Sequence, residues 1–353
     1  MTQYEERLER DIQKVRKRVR RMGEAVVGAV RSATETALTR DAELATKTIL
    51  GDLPINRLAR KLDHRCHIFI ARHLPSAGHL RYISSAMRLS KTLERVGDYA
   101  ETISRAAVQL STAPPESVAK DIEMMGRHAA NTLEQSLNAF YEGNVEEART
   151  TRAVVGQYGS TFDKVFTDLV NAGKEGTQPM EDLFALMAIF NRLERILHQG
   201  KNVSEQTIFT VTGEGKEEKT FDVLFVDSRN AGASALAEHY CRKAYPEAGT
   251  FESAGWDVVS EPDQAYIEFA DSKGLDLRDL EPRSFSDVIK QVADYDLVID
   301  LAGGVREHLT RIPFHTTILS WPLEDRDDPE SVYKQLAPQV SELMELLRGE
   351  EED

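Results

Sequence analysis

Along the first two thirds of the chain, apolar residues recur every three or four positions, the period of an α-helix with one buried stripe. Val15, Val19, Met22, Val26, Val30, Ala33 and Ala37 place one unusually long amphipathic helix between Tyr4 and about Thr39. A second helical run covers Asp41–His73, with Pro54 marking a candidate break and Pro75 ending it. The third carries Leu80, Ile83, Met87, Leu89, Leu93, Val96 and Ile103. STAPPE, Ser111–Glu116, is turn-rich and interrupts the pattern, which then restarts. TGEGKEEKT, Thr212–Thr220, fits a linker. Beyond it the period changes. FDVLFVD is an apolar run of buried-strand type, AGASALAEHYCRKAY a helix, and GTFESAG, DYDLVIDL and TTILSW three more strands. Strands alternating with helices predict a parallel sheet of four strands with helices on both faces.

The helical part repeats itself. Met22-Gly23 returns as Met125-Gly126, Asp41 as Asn144 and Ala45 as Ala148, all 103 positions on, while Leu93-Glu94-Arg95 returns as Leu193-Glu194-Arg195 after 100. Repetition at this length predicts a duplicated unit of three helices. The expected organisation is a first helical repeat over 1–110, a second over 117–212, a linker over 213–220 and an α/β domain over 221–348.

Glu94 and Asp98 stand four apart and share a helix face, where like charges repel. A bound cation, basic side chains from a neighbouring helix, or water would compensate them. In the second copy the same stripe reads Glu194, His198 and Asn202. Imidazole suits zinc or iron better than magnesium or calcium.

A length of 353 residues suggests two or three domains, and a net charge of −15 argues against nucleic-acid binding, which needs Lys and Arg to neutralise phosphates. The one basic stretch, KVRKRVRR at Lys14–Arg21, reads as an exposed mixed-charge stripe or as a docking surface for a membrane or partner. Cys66 and Cys241 form neither a disulfide framework nor a metal cluster and are expected reduced. No apolar run spans a bilayer and no signal pattern opens the chain, so a cytoplasmic location is expected.

PSAGHLR at Pro75–Arg81, LERVGD after it, and NVSEQTIFTVTGE at Asn202–Glu214 resemble the PhoU family of phosphate-uptake regulators, over about the first 214 residues. The resemblance implies an all-α pair of three-helix bundles, an E/D-x-x-x-D metal signature in each, and partnership with a phosphate importer and a sensor histidine kinase. Glu94 and Asp98 match the first signature, whereas the second sets His198 beside Glu194. The implied cofactor is a divalent or trivalent ion: iron, zinc, manganese or magnesium. Peripheral membrane association through partners and a homodimer are further expectations.

In parallel sheets ligands bind beyond the carboxyl ends of the strands, where a loop enters a helix N-terminus. That loop is DSRNAGAS, Asp227–Ser234, and it carries neither G-x-G-x-x-G nor G-x-x-x-x-G-K. Ser228, Arg229, Asn230 and Ser234 are candidate donors to phosphate or another oxyanion, which Asp227 would repel. VLFVDSRNAGASALAE, Ser253–Gly255, Asp296–Ala302 and WPLEDRDDP at Trp321–Pro329 resemble the low-molecular-weight protein tyrosine phosphatase and arsenate reductase family, over roughly Phe221–Leu347. That resemblance implies a C-x5-R-[ST] loop with a thiolate nucleophile, an arginine clamp and a later Asp-Pro acid. Here Asp227 stands at the nucleophile position and Ala233 at the arginine position, while Asn230, Ser234 and a remnant acid at Asp328 remain. A carboxylate replaces a low-pKa thiolate poorly, and loss of the clamp removes stabilisation of developing charge. Cys241, seven positions after Ser234, does not stand in. The expectation is an inactive phosphatase-like domain for sensing or docking; the alternative is a phosphoester hydrolase working through the altered Asp227 loop. A phosphoacceptor receiver also fits VLFVD and DLVID, but lacks a second acid after the first strand. The run Glu324, Asp325, Asp327, Asp328 is a solvated loop or a cation site.

Overall fold

The computed structural model describes residues 3–155, 159–216, 220–288, 295–309, 312–313 and 316–348; linker residues 217–219 and Asp294 of the third expected strand lie outside them. The chain forms two compact units, 1–216 and 217–353. In the first, α1 (Gln3–Thr39), α2 (Ala42–His73) and α3 (Ala77–Ala107) form one copy. α4 (Glu116–Glu142), α5 (Val145–Val155), α6 (Gly159–Lys174) and α7 (Met180–Thr212) form the other. The second copy's counterpart of α2 is described as α5 and α6, on either side of residues 156–158.

The apolar stripes pack into one core, with Val15, Val19, Met22, Leu93, Leu133 and Leu193 among its fully covered side chains. α2 starts where the Asp41 carboxylate accepts the amides of Glu43 and Leu44, at 2.8 and 3.1 Å, as an N-cap does. Pro54 does not break it. The proline is exposed between buried Asp52 and Ile55, so the carbonyl it leaves without a donor lies on the solvent side and the buried stripe continues.

The repeats meet through reciprocal contacts of α1 and α4. A Cβ at Gly23 would run into the Tyr141 hydroxyl and lie 3.0 Å from Leu137 Cδ1. One at Gly126 would run into Thr34, the counterpart of Leu137 in the first copy. Arg31 pairs with Glu134, its own repeat-mate, at 2.7 Å. These contacts describe a pseudo-twofold between the copies, and the two glycines are small because helix backbones cross there. Gly126→Val is expected to lower the stability of the helical unit by about 1–3 kcal/mol through overpacking, read as an earlier urea midpoint in circular dichroism.

In the second unit β1 (Phe221–Asp227), α8 (Ala233–Ala244), β2 (Gly249–Gly255), α9 (Gln264–Ser272), α10 (Phe285–Val288), β3 (Leu297–Asp300), β4 (Thr317–Ser320) and α11 (Pro329–Arg348) follow in order. The sheet runs β2-β1-β3-β4 and is parallel throughout. Val223 and Phe225 face the core under α8 and α11, and Leu224 and Val226 face the opposite core with Phe285 and Val298. Burial on both faces explains why FDVLFVD reads as continuous apolar sequence. The chain leaves β1 for one neighbour and returns to the other, so the loop after β1 sits at the topological switch point.

Candidate functional sites

The loop after β1 is organised by Asp227 itself. One oxygen of its buried carboxylate accepts the amides of Arg229 and Asn230, at 2.9 and 2.6 Å, and the other accepts the amide of Ser234 at 2.9 Å. The carboxylate therefore caps the start of α8 and uses loop amides that point inward. Asp300, ending β3, behaves alike: it accepts the amides of Ala302 and Gly303 at 3.1 and 2.7 Å, and that of Val305 at 3.0 Å. Both strands thus finish on an aspartate that folds its own following loop.

Asn230 adopts a left-handed backbone, φ 51°, which asparagine tolerates better than most residues. Its side chain is fully buried and fully used. The amide nitrogen donates to Ser234 Oγ at 3.0 Å and Ser253 Oγ at 2.8 Å, and the oxygen accepts the Arg283 amide at 2.7 Å. Ser253 in turn donates to buried Glu238 at 2.5 Å. Gly255 lets β2 pass beneath the loop, since a Cβ there would lie 2.7 Å from the Asn230 nitrogen. Of the expected oxyanion donors, then, Asn230 and Ser234 build the loop, and Arg229 pairs with Asp263 at 2.9 Å. Ser228 lends its carbonyl to the Asp257 amide at 2.7 Å. Ala233 is buried at the first turn of α8.

Asp328 caps α11, accepting the Glu330 amide at 3.0 Å, with Pro329 at the first helical position. The Tyr266 hydroxyl donates to the Arg326 carbonyl at 2.6 Å. Burial raises the pKa of this phenol, and the negative charges of Asp227, Asp263, Asp327 and Asp328 raise it further. The Asp-Pro segment and the β1 loop thus share one electrostatic neighbourhood, and its sign is negative. Cys241 is buried in the core of this unit, and burial pushes its thiol up; burial likewise pushes Cys66 up to about 12.

In the helical unit Glu94 and Asp98 face α2, where Asp52 projects towards them. Asp52 is buried, its Oδ2 accepts from Asn56 at 2.6 Å, and its Oδ1 has no hydrogen-bond partner. A Cβ at Gly97 would lie 3.1 Å from that orphan oxygen, so the glycine admits the carboxylate. Burial raises the pKa of Asp52, helped by Asp98, Glu101 and Glu94; Asp98 is raised by burial and then by Glu94 and Glu101. Lys91 pairs with Glu94 at 3.0 Å and only partly offsets the cluster. Sequence reasoning missed Asp52. Its signal was an acid on the buried stripe of α2, at the position where the second copy has Val155.

The second stripe divides. Glu194 is buried, His198 is exposed, each has interactions of its own, and Asn202 donates to Gln199 at 3.1 Å. Among the described residues no three His, Cys, Asp or Glu side chains stand in a metal-holding arrangement, and no described helix is long and apolar enough to cross a membrane. The basic stretch of α1 lies partly on aromatic rings: the Arg16 guanidinium is 5.4 Å from the Tyr82 ring centre and that of Arg20 is 4.7 Å from Tyr141.

Comparison with known proteins agrees with both units. The low molecular weight phosphotyrosine protein phosphatase family matches residues 222–318. The phosphate-specific transport system accessory protein PhoU of Serratia marcescens is 27% identical over 230 residues, covering 64% of this chain and 88% of that protein. The PhoU homolog of Xylella fastidiosa strain Temecula1 is 26% identical over 194 residues, covering 55% and 80%. The crystal structure of PhoU from Pseudomonas aeruginosa aligns with TM-score 0.53 and 27% identity, covering 58% of this chain and 99% of that one. The PhoU domain matches twice, over 19–107 and 119–207, in the two copies that the reciprocal α1–α4 contacts define. With half its length in those two domains, this chain belongs to the PhoU family.

Proposed function

We propose that the chain is an accessory regulator of phosphate transport and phosphate-starvation signalling. Its helical unit binds a cation and acts through a phosphate importer and a sensor kinase, and its C-terminal unit is a phosphatase-shaped sensing or docking domain without phosphatase chemistry. The observation that carries the last point is the Asp227 carboxylate: three loop amides hold it just as three others hold Asp300, so it serves the loop rather than a substrate. With Ala233 in place of the clamp, Arg229 engaged by Asp263 and four aspartates nearby, a phosphoryl group would meet negative charge without the clamping arginine of a C-x5-R loop.

The test is turnover of para-nitrophenyl phosphate. Wild type is expected to show none above background; turnover that disappears in Asp227→Ala would establish the hydrolase alternative. Asp227→Cys with Ala233→Arg is expected to create activity, because the Asn230 network and Asp328 already have their places.

A cation in the first copy would be held by Asp52, Glu94 and Asp98, which offer carboxylate oxygens, one of them buried and unpartnered, although the three do not stand in a metal-holding arrangement in this structure; such oxygens suit magnesium or manganese better than zinc. The second copy, with His198 outward and Val155 at the Asp52 position, does not repeat that set. Without cation, a carboxylate whose folded pKa is raised destabilises the fold at neutral pH, and stability returns as pH falls through that pKa. Asp52→Asn is therefore expected to raise the melting temperature of metal-free protein at pH 7 and to abolish any increase caused by manganese. A manganese-dependent increase that survives in Asp52→Asn would remove this site.

A further inference from the structure

Between Lys14 and Arg21 the chain has six basic residues and no acid, in a protein whose net charge is −15. All six lie on the solvent side of α1, and only Arg18 among them is half-buried. Lys14 is engaged by Asp11 at 2.7 Å. Arg16, Lys17, Arg18, Arg20 and Arg21 form no ion pair among the described residues. The flanking acids of the helix are turned to other tasks: Glu9 accepts from Gln13 at 2.7 Å, and Glu24 acts on the Tyr141 phenol.

Two of the five free cations are braced. Arg16 and Arg20, one turn apart, lie over Tyr82 of α3 and Tyr141 of α4, and Tyr82 is itself stacked on Phe140 with ring centres 5.4 Å apart. Stacking holds a guanidinium by its face and leaves its in-plane N–H groups to an outside acceptor. Lys17 and Arg21 form the neighbouring row of the same helix surface. From Arg16 to Arg21 the helix rises only about 7.5 Å.

Charge density selects what such a row would hold. An extended acidic peptide turns one carboxylate to a given side about every 7 Å, which is too sparse for four cations in that length. A bilayer surface takes apolar side chains from the helix that lies on it, and the one exposed large apolar side chain of α1 among the described residues is Tyr4, well before the row. A chain of condensed phosphate carries a charge at every phosphorus and can turn them all to one side. We propose that the Arg16–Arg21 row binds condensed phosphate, either the triphosphate of a nucleotide or a stretch of inorganic polyphosphate. Arg16 and Arg20 clamp its non-bridging oxygens, and Lys17 and Arg21 add charge beside them. The site stands apart from the acidic cluster and does not depend on a cation at Asp52.

Isothermal titration calorimetry of the full chain, in buffer free of divalent cations and with sodium tripolyphosphate as the probe, tests it. Tripolyphosphate is expected to bind, and orthophosphate and poly-glutamate to bind more weakly. Arg16→Glu with Arg20→Glu is expected to weaken tripolyphosphate by at least roughly ten-fold, the worth of one hydrogen bond between charged groups. Equal affinity for ATP and tripolyphosphate identifies a nucleotide as the source, and affinity that rises further with long-chain polyphosphate identifies the polymer; either supports the site. Absence of tripolyphosphate binding, equal binding of poly-glutamate, or binding that the paired reversal leaves unchanged overturns the proposal. Should circular dichroism show that variant misfolded, Lys17→Glu with Arg21→Glu decides, since neither side chain is stacked on a ring among the described residues: unchanged affinity there overturns it.

Discussion

Asp227→Ala is expected to destabilise the C-terminal unit by roughly 3 kcal/mol, because it strips three inward-pointing amides of their acceptor at once. Alanine leaves those groups in a loop whose other polar atoms are already committed: Asn230 to Ser234, Ser253 and Arg283, and Ser253 to Glu238. Water entering the vacated space would recover part of the loss. Asp227→Asn is the sharper variant. It keeps the shape but turns an NH2 group towards one or two N–H donors, at about 1–3 kcal/mol. Urea unfolding followed by the fluorescence of Trp256 and Trp321, both in this unit, measures the effect. If either variant leaves the midpoint unchanged, the carboxylate does not hold the loop and Asp227 is free to serve a substrate.

The second large effect is expected at Asp182, in the first turn of α7. Its carboxylate, 2% exposed, accepts the amides of Ser111 and Thr112, both at 2.9 Å, and their hydroxyls at 3.0 and 2.7 Å. Burial pushes its pKa up, but these four donors outweigh burial and hold it down at about 2. A carboxylate with a depressed folded pKa stabilises above its unfolded value near 4, and that stabilisation is lost as pH falls through about 2. Asp182→Ala is therefore expected to cost about 2 kcal/mol at neutral pH, with the difference from wild type shrinking between pH 4 and pH 2. A difference that stays constant through this window would show that the charge of Asp182 is not what ties STAPPE to α7. Such a tie explains why a turn-rich segment joining the copies is ordered.

The helices, the duplication and the four strands were legible because each rests on local periodicity or on self-similarity. The break at Pro54 was misjudged for the same reason: local sequence weighs a proline by its missing donor, whereas burial decides whether the freed carbonyl is short of a partner. The β1 loop was located correctly as a place, yet Asn230 and Ser234, expected as ligand donors, are spent on one another. Their partners Ser253 and Arg283 come from distant segments, and no spacing in the loop announces them.

By itself, the order of apolar and polar residues determined that this protein has a duplicated all-α part followed by a parallel α/β part, and which residue types occupy the loop after β1. Hydrophobic burial is averaged over many positions, so its period survives in one dimension. Tertiary structure alone decided where single charges and single apolar faces end up. Asp52 joins Glu94 and Asp98 only because α2 packs on α3 at Gly97. Asp227 is satisfied by amides only because the loop closes around it, and Phe184 is left exposed only because no element of its own copy covers it. These outcomes depend on distances between segments far apart in the chain, and a few ångströms decide whether a charge finds a partner.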